Sequence, residues 1–137
     1  MSDKSLLPLL LLLLLGLVLS CSQETEEEGP QGAVKRFYRH LNSGDYQAAK
    51  EMYNAEARVT IDDPELFSEA GFRKWAEEQT NNGSIKGVEI LQAVDDDTGA
   101  DIEYEISYRD GTTKRSRVRL TQEEGEWKLG FAMDATP

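Results

Sequence analysis

Residues 101–120 read DIEYEISYRDGTTKRSRVRL, and their alternation decides the fold. Ile102, Tyr104, Ile106 and Tyr108 fall on one face of an extended chain, and Asp101, Glu103, Glu105 and Ser107 fall on the other. Past the turn, Ser116, Val118 and Leu120 alternate with Arg115, Arg117 and Arg119. A period of two marks a strand with one buried face. Directly paired residues of two antiparallel strands share a face, so apolar must meet apolar. A slip of one residue would set Ile106 beside Arg115. That condition selects a three-residue loop, Arg109-Asp110-Gly111, with Gly111 in the left-handed bulge position. It predicts Tyr108 opposite Thr112 and Ile102 opposite Val118. On the outer face it predicts a ladder of Asp101 with Arg119, Glu103 with Arg117, and Glu105 with Arg115.

Working outward, a strand is predicted before this hairpin, at about Gly87 to Val94, and another after it. The last strand carries Trp127, Leu129, Phe131 and Met133 inward against Lys128, Gly130, Ala132 and Asp134. Upstream of residue 85 the period is 3.6. Val34, Phe37, Tyr38 and Leu41 make one stripe of a helix from about Ala33 to Asn42, ended by Gly44. Asp45 caps a second helix, about Tyr46 to Asn54, with Tyr46, Ala49 and Tyr53 inward. Arg58-Val59-Thr60-Ile61 reads as a brief extended piece, and Asp62-Asp63-Pro64 breaks the chain. Ser68 caps a third helix running to Thr80, with Phe72, Trp75 and Gln79 on one side, and Asn82-Gly83 stops it. The expected fold is therefore α+β. Three N-terminal helices pack on a curved four-stranded antiparallel sheet to form a cone.

The N-terminus is of another kind. Leu6 to Leu19 is apolar apart from Pro8 and Gly16. As a helix it would span about 21 Å, short of a hydrocarbon core of about 30 Å, which fits a cleaved signal peptide. It ends in Val18-Leu19-Ser20-Cys21, which resembles the lipobox of bacterial lipoproteins. The resemblance implies cleavage before Cys21, thioether diacylation of its thiol and acylation of the new α-amino group. Three acyl chains would anchor the protein stably, since two suffice. Ser22, not Asp, follows the cysteine; if the source is Gram-negative, the usual sorting rule then favours the outer membrane, periplasmic side. Residues 21–32, lipidated cysteine and acidic SQETEEEGPQG, read as a disordered tether. Residues 33–137 are the domain, and residues 1–20 the signal peptide.

Composition narrows the partners. The chain carries 26 acidic residues against 15 Lys plus Arg, a formal charge of −11, which excludes a basic nucleic-acid binder. Cys21 is the sole cysteine, so no disulfide can form within the chain.

The domain also resembles a family. Ala33-Val34-Lys35-Arg36-Phe37-Tyr38 with Leu41, Gly44-Asp45-Tyr46 and Ala49 is similar to the first helix hairpin of the nuclear-transport-factor-two-like, or cystatin-like, superfold. Tyr108-Arg109-Asp110-Gly111 and Gly125-Glu126-Trp127-Lys128 resemble the hairpin and final strand of its uncharacterised lipoproteins. The resemblance spans about residues 33–133. It implies the cone and leaves activity open, because the superfold hosts isomerases, dehydratases, polyketide cyclases and pure binding domains.

Candidate chemistry is sparse. Enzymes of the superfold hold an acid–base pair in the mouth of the cone. The one histidine, His40, lies about 110° from the centre of its helix's apolar stripe, at the surface. The inner sheet face carries no ionisable group except tyrosines and Lys114. No catalytic residue, cofactor site or metal site is assigned. Asp95-Asp96-Asp97-Thr98-Gly99 lacks the glycine of a calcium loop, with Ala100 at that position, and reads as a solvated turn; Asp62-Asp63-Pro64-Glu65 reads likewise. Tyr38, Tyr53, Trp75, Tyr104 and Trp127 are the candidate lining of a pocket for a small apolar ligand, weighed against ordinary core. The expected protein is an envelope lipoprotein with a non-catalytic domain that binds a ligand or an envelope protein, as a monomer or weak dimer. The alternatives are an isomerase- or dehydratase-type enzyme, marked by a buried carboxylate or histidine, and an accessory subunit, marked by an exposed apolar patch around Leu66-Phe67.

Overall fold

The structure, a computed structural model, describes residues 28–65 and 67–135. Helices α1 (Pro30–Ser43), α2 (Tyr46–Glu51), α3 (Ala55–Ile61) and α4 (Glu69–Gln79) precede strands β1 (Ile85–Asp96), β2 (Gly99–Tyr108), β3 (Thr113–Glu123), β4 (Glu126–Leu129) and β5 (Met133–Asp134). Among the described residues four helices stand where three were expected, and five strands where four were expected. The class is α+β, with one antiparallel sheet in the order β1-β2-β3-β4 and β5 also on β3.

α1 starts three residues before the expected Ala33, because Pro30 sits in the first turn, where its missing N–H costs nothing. Gly44, at φ +80°, ends the helix. Asp45 caps α2 by accepting from the Ala48 N–H at 3.4 Å. Ser68 caps α4 by accepting from the Gly71 N–H at 3.0 Å.

The extended piece expected at Arg58–Ile61 is instead helix α3, and the expected second helix stops at Glu51. β-Branched Val59, Thr60 and Ile61 favour a strand intrinsically, but only weakly. Two local features override them. The Asn54 side chain accepts from the Ala57 N–H at 2.9 Å, a helix cap. Ala57 and Ile61, four residues apart, are both buried on one helical face.

The β2–β3 register is the one that alternation dictates: Asp101 faces Arg119, Ile102 faces Val118, Glu103 faces Arg117 and Glu105 faces Arg115. Gly111 has φ +87°, as the bulge position requires, and donates to the Tyr108 carbonyl at 3.0 Å. The outer ladder closes at 3.0 Å for Arg119–Asp101 and at 3.2 Å for both Arg117–Glu103 and Arg115–Glu105. These pairs face water, so each fixes register more than it adds stability.

β1 is an edge strand longer than expected. Its pairing with β2 shifts twice, at Lys86 and at Leu91. Each shift is a bulge, which re-aims the side chains beyond it. Beyond the second, Val94 lies opposite Asp101 and is 51% exposed.

The final strand departs most from expectation. Leu120 pairs with Leu129, which would place Met133 opposite Ser116 on the inner face. Instead Asp134 pairs with Ser116 and Met133 with Arg117, a slip of one residue between β4 and β5. Every side chain past the slip changes face. Met133 is 66% exposed and Phe131 44% exposed, where both were expected inside. The cause lies on the free side of β4. Leu129 donates to the Met52 carbonyl and accepts from the Asn54 N–H, both at 2.8 Å, so residues 52–54 take that edge. Gly130 then bonds the Arg119 carbonyl at 2.8 Å, and Phe131 turns out to stack on Tyr53 at 5.6 Å.

The core lies between the helices and the inner sheet face. Val34, Phe37, Tyr38 and Leu41 of α1 and Phe72 and Ala76 of α4 pack with Ile102, Tyr104, Ile106, Val118, Leu120 and Leu129, all at most 3% exposed.

Candidate functional site

The inner face holds two neighbouring sets of polar groups, and each residue has a local reason to be there. Tyr38 lies on the inward stripe of α1, and Tyr104 on the inward face of β2. Their hydroxyl oxygens are 2.5 Å apart. Ser116 lies opposite Tyr104 on β3, near its hydroxyl. Burial raises Tyr38 well above the usual phenol range. Burial pushes Tyr104 up to about 12, partly offset by the neighbouring Tyr38 and Ser116 hydroxyls. Tyr53 is raised by burial too. Near neutral pH these phenols are uncharged hydrogen-bonding groups, not bases.

The slip before β5 adds a carboxylate that alternation had assigned to the outer face. Asp134 sits opposite Ser116, and its Oδ1 lies 3.2 Å from the Lys114 ammonium. The same ammonium donates to the Gln79 side-chain oxygen at 3.0 Å, and the Tyr108 hydroxyl donates to the Gln79 carbonyl at 2.7 Å. Lys114, Gln79, Asp134, Ser116 and Tyr104 thus run from solvent to core where α4 meets β2 and β3. The Asp134 side chain is 81% exposed, so the pair is water-screened. The expectation of no inward ionisable group besides tyrosines and Lys114 is corrected by Asp134. Gly130, a glycine inside an apparent strand, was the available signal of a bulge.

The candidate pocket residues divide. Tyr38, Tyr53 and Tyr104 are core residues, at most 3% exposed. An unbroken chain of ring contacts runs from Tyr104 through Tyr38, Phe37, Tyr53 and Phe72 to the half-buried Trp75. Trp127 stands apart, in a surface groove with Arg36, His40 and Lys128. His40 is 34% exposed, with Nδ1 3.7 Å from the Asp45 carboxylate. Phe67 is half-buried, with ring contacts to Phe72 and Trp75. Leu66, Cys21 and Ser22 lie outside the described residues, as do the signal peptide and most of the tether.

In the aspartate turn, Asp96 accepts from the Thr98 N–H at 2.8 Å and the Gly99 N–H at 3.0 Å, and its Oδ1 lies 2.9 Å from the Arg119 guanidinium. That guanidinium holds the Asp96 carboxyl well below the ordinary carboxylate range. These bonds close the β1–β2 turn. Among the described residues no three His, Cys, Asp or Glu side chains are grouped to hold a metal ion.

Comparison with known proteins bears on the fold. No curated protein matches the chain. The crystal structure of a Campylobacter jejuni protein, provisionally named an NTF2-like transpeptidase, aligns with a TM-score of 0.58 over 73% of this chain and 95% of its own, at 17% identity. The solution structure of a SEC-C motif containing protein from Rhodopseudomonas palustris aligns with a TM-score of 0.60 over 85% of this chain and 86% of its own, at 15% identity. At such identity the likeness speaks for the fold alone. The family model of a domain of unknown function, DUF4878, matches residues 20–130, and with that span the chain belongs to the DUF4878 family and carries an NTF2-like fold.

Proposed function

We propose that the protein is a lipid-anchored envelope lipoprotein whose domain binds a partner or ligand without catalysing a reaction. One observation carries the non-catalytic reading: the space an enzyme of this fold would use is occupied. Tyr104, Ile102, Ile106, Leu120 and Val118 are at most 1% exposed, and Tyr38 and Tyr53 fill the rest. The Tyr38 and Tyr104 hydroxyls are neutral and bonded to each other, so they stabilise the interior. The anchor rests on Leu6 to Leu19 followed by Ser20-Cys21, and on Ser22 for the outer membrane. Only eight residues, 22–29, separate the cysteine from α1, at most about 28 Å of extended chain. The domain would work close to its membrane.

A second reading, a small-molecule enzyme, is favoured by Asp134, which the slip brings beside Lys114 on the inner face. Native mass spectrometry of the full chain, extracted from its own host in detergent, separates the readings. The binding reading expects a retained ligand or protein at fixed stoichiometry, unchanged by Asp134→Asn. Substrate turnover that Asp134→Asn abolishes would overturn it. Labelled palmitate must appear on the mature protein and be lost in Cys21→Ser; an unlabelled mature protein removes the anchor.

A further inference from the structure

A concavity of about 270 Å³ lies between α1 and the start of β1, lined by Lys35, Tyr38, Arg39, Asn42, Ile85, Lys86, Gly87 and Val88. Three of these eight residues are cationic and none is acidic. Three other concavities contrast with it. The three other described concavities each contain carboxylates: Asp101 and Glu103; Glu28, Glu51 and Glu126; Glu69 and Glu77. In a chain of formal charge −11, a depression with no carboxylate among its described lining residues is of opposite sign to its surroundings.

The placement of the cations follows from the fold. Lys35 and Arg39 are four residues apart on α1, so they project from one helical face. Lys86 is the extra residue at the first bulge of β1, where the pairing jumps from Ile85–Tyr108 to Gly87–Ser107. Asn42 ties the two elements together: its side-chain oxygen accepts from the Ile85 N–H at 2.9 Å, and its amide donates to the Ile85 carbonyl at 3.4 Å. The frame that carries the cations is therefore held from both sides. Lys35 and Lys86 are exposed, and neither has a carboxylate partner among the described residues. Tyr38, Ile85 and half-buried Val88 supply an apolar wall beside the charges.

We infer that this concavity binds a phosphate monoester through Lys35 and Lys86, beside Arg39, with the ester's carbon chain against Ile85 and Val88. A monocarboxylate brings one charge to the two lysines, whereas a phosphate monoester brings nearly two and three acceptor oxygens. The ester could be a soluble metabolite or a membrane lipid with a monoester headgroup. The inference deepens the binding reading above. Its test differs from the native-mass experiment, so either can fail without the other.

The probe is n-butyl phosphate, titrated into the full chain in a zwitterionic detergent and followed by amide NMR. Saturable shifts are expected at residues 35, 39, 87 and 88, with n-butyrate binding at least tenfold more weakly. Lys35→Gln with Lys86→Gln should raise the dissociation constant at least tenfold, and the corresponding double Arg variant should restore it within threefold. Because both lysines are exposed, the Gln variants should melt as the parent does. Shifts that do not saturate, or equal affinity in the Gln variant, overturn the site. Micelles of the same detergent doped with a short-chain phosphatidate then assign the source. Saturable shifts at residues 35, 39, 87 and 88 that are lost in the Gln variant point to lipid; butyl phosphate binding with no such shifts points to a soluble ester.

Discussion

Tyr38→Phe, Tyr104→Phe and their combination form a cycle that tests the account of the interior. The Tyr38 and Tyr104 hydroxyls are buried against each other at 2.5 Å. Removing either leaves the other short of its partner where water does not reach. A net hydrogen bond contributes about 1 kcal/mol and a buried orphan costs about 1–3 kcal/mol, so each single variant should cost about 2 kcal/mol. The double variant orphans neither hydroxyl and should cost only about 1 kcal/mol, so the effects couple by about 3 kcal/mol. Urea unfolding, followed by the fluorescence of Trp75 and Trp127, reads this as midpoint shifts at constant slope. The same groups set an alkaline limit. Folding raises Tyr104 from 10.0 to about 12, so the folded state binds the phenolic proton more tightly than the unfolded chain. The stabilisation is fully present below pH 10 and is lost as pH climbs toward 12, by about 3 kcal/mol for this residue. Tyr38, raised in the same direction, steepens the fall. Effects additive within about 0.5 kcal/mol, or stability flat to pH 12, would refute the coupled buried pair.

Three further outcomes follow from particular contacts. Gly111→Ala should cost about 1 kcal/mol in the same assay, since a Cβ there meets nothing but the residue stands at φ +87°; Gly99→Ala should cost more, because its Cβ would fall on the Leu120 carbonyl oxygen. Asp96 is held below its ordinary value of 3.8 by the Arg119 hydrogen bond, so its contribution is present above that pH and lost as pH falls through the lowered value. Unfolding midpoints should therefore decline less between pH 5 and pH 2 in Asp96→Asn than in the parent. Asn54→Ala should cost about 1–2 kcal/mol by removing the cap of α3; circular dichroism that retains every helical residue at an unchanged melting temperature would contradict that role.

How much was legible depends on what each residue's pattern encodes. The β2–β3 register could be read to the residue because both strands are one-sided, and a slip would have buried arginines beside Ile106. The inward stripe of α1 was equally plain. α3 was missed because Val59, Thr60 and Ile61 state a propensity, whereas Asn54 and the four-residue spacing of Ala57 and Ile61 state a geometry. Here geometry won. The alternation of Trp127, Leu129, Phe131 and Met133 continues unbroken in sequence although the strand does not. What breaks it is a neighbour about 75 residues away, Met52 and Asn54 bonding to Leu129, and no local window holds that information. Asp134 was hidden on the inner face for the same reason.

The charged residues on which the proposals rest stand where the repeats fail. Lys86 is the surplus residue of a bulge, and Asp134 is the second residue after a slip. A strand in perfect register can present only what its period allows: apolar groups inward and, in this chain, an acid–arginine ladder outward. The ladder's charges answer one another across β2 and β3, which leaves little for a partner to recognise. An irregularity escapes that constraint. It turns one or two side chains to the opposite face at the cost of a few ladder hydrogen bonds, while the buried face elsewhere holds the sheet in place. In β1 the bulge directs a lysine to the α1 edge, beside Lys35 and Arg39. In β5 the slip directs a carboxylate toward Lys114. A fold whose interior is filled can still vary its function through such breaks, because each changes a surface without disturbing Tyr104 and the core around it.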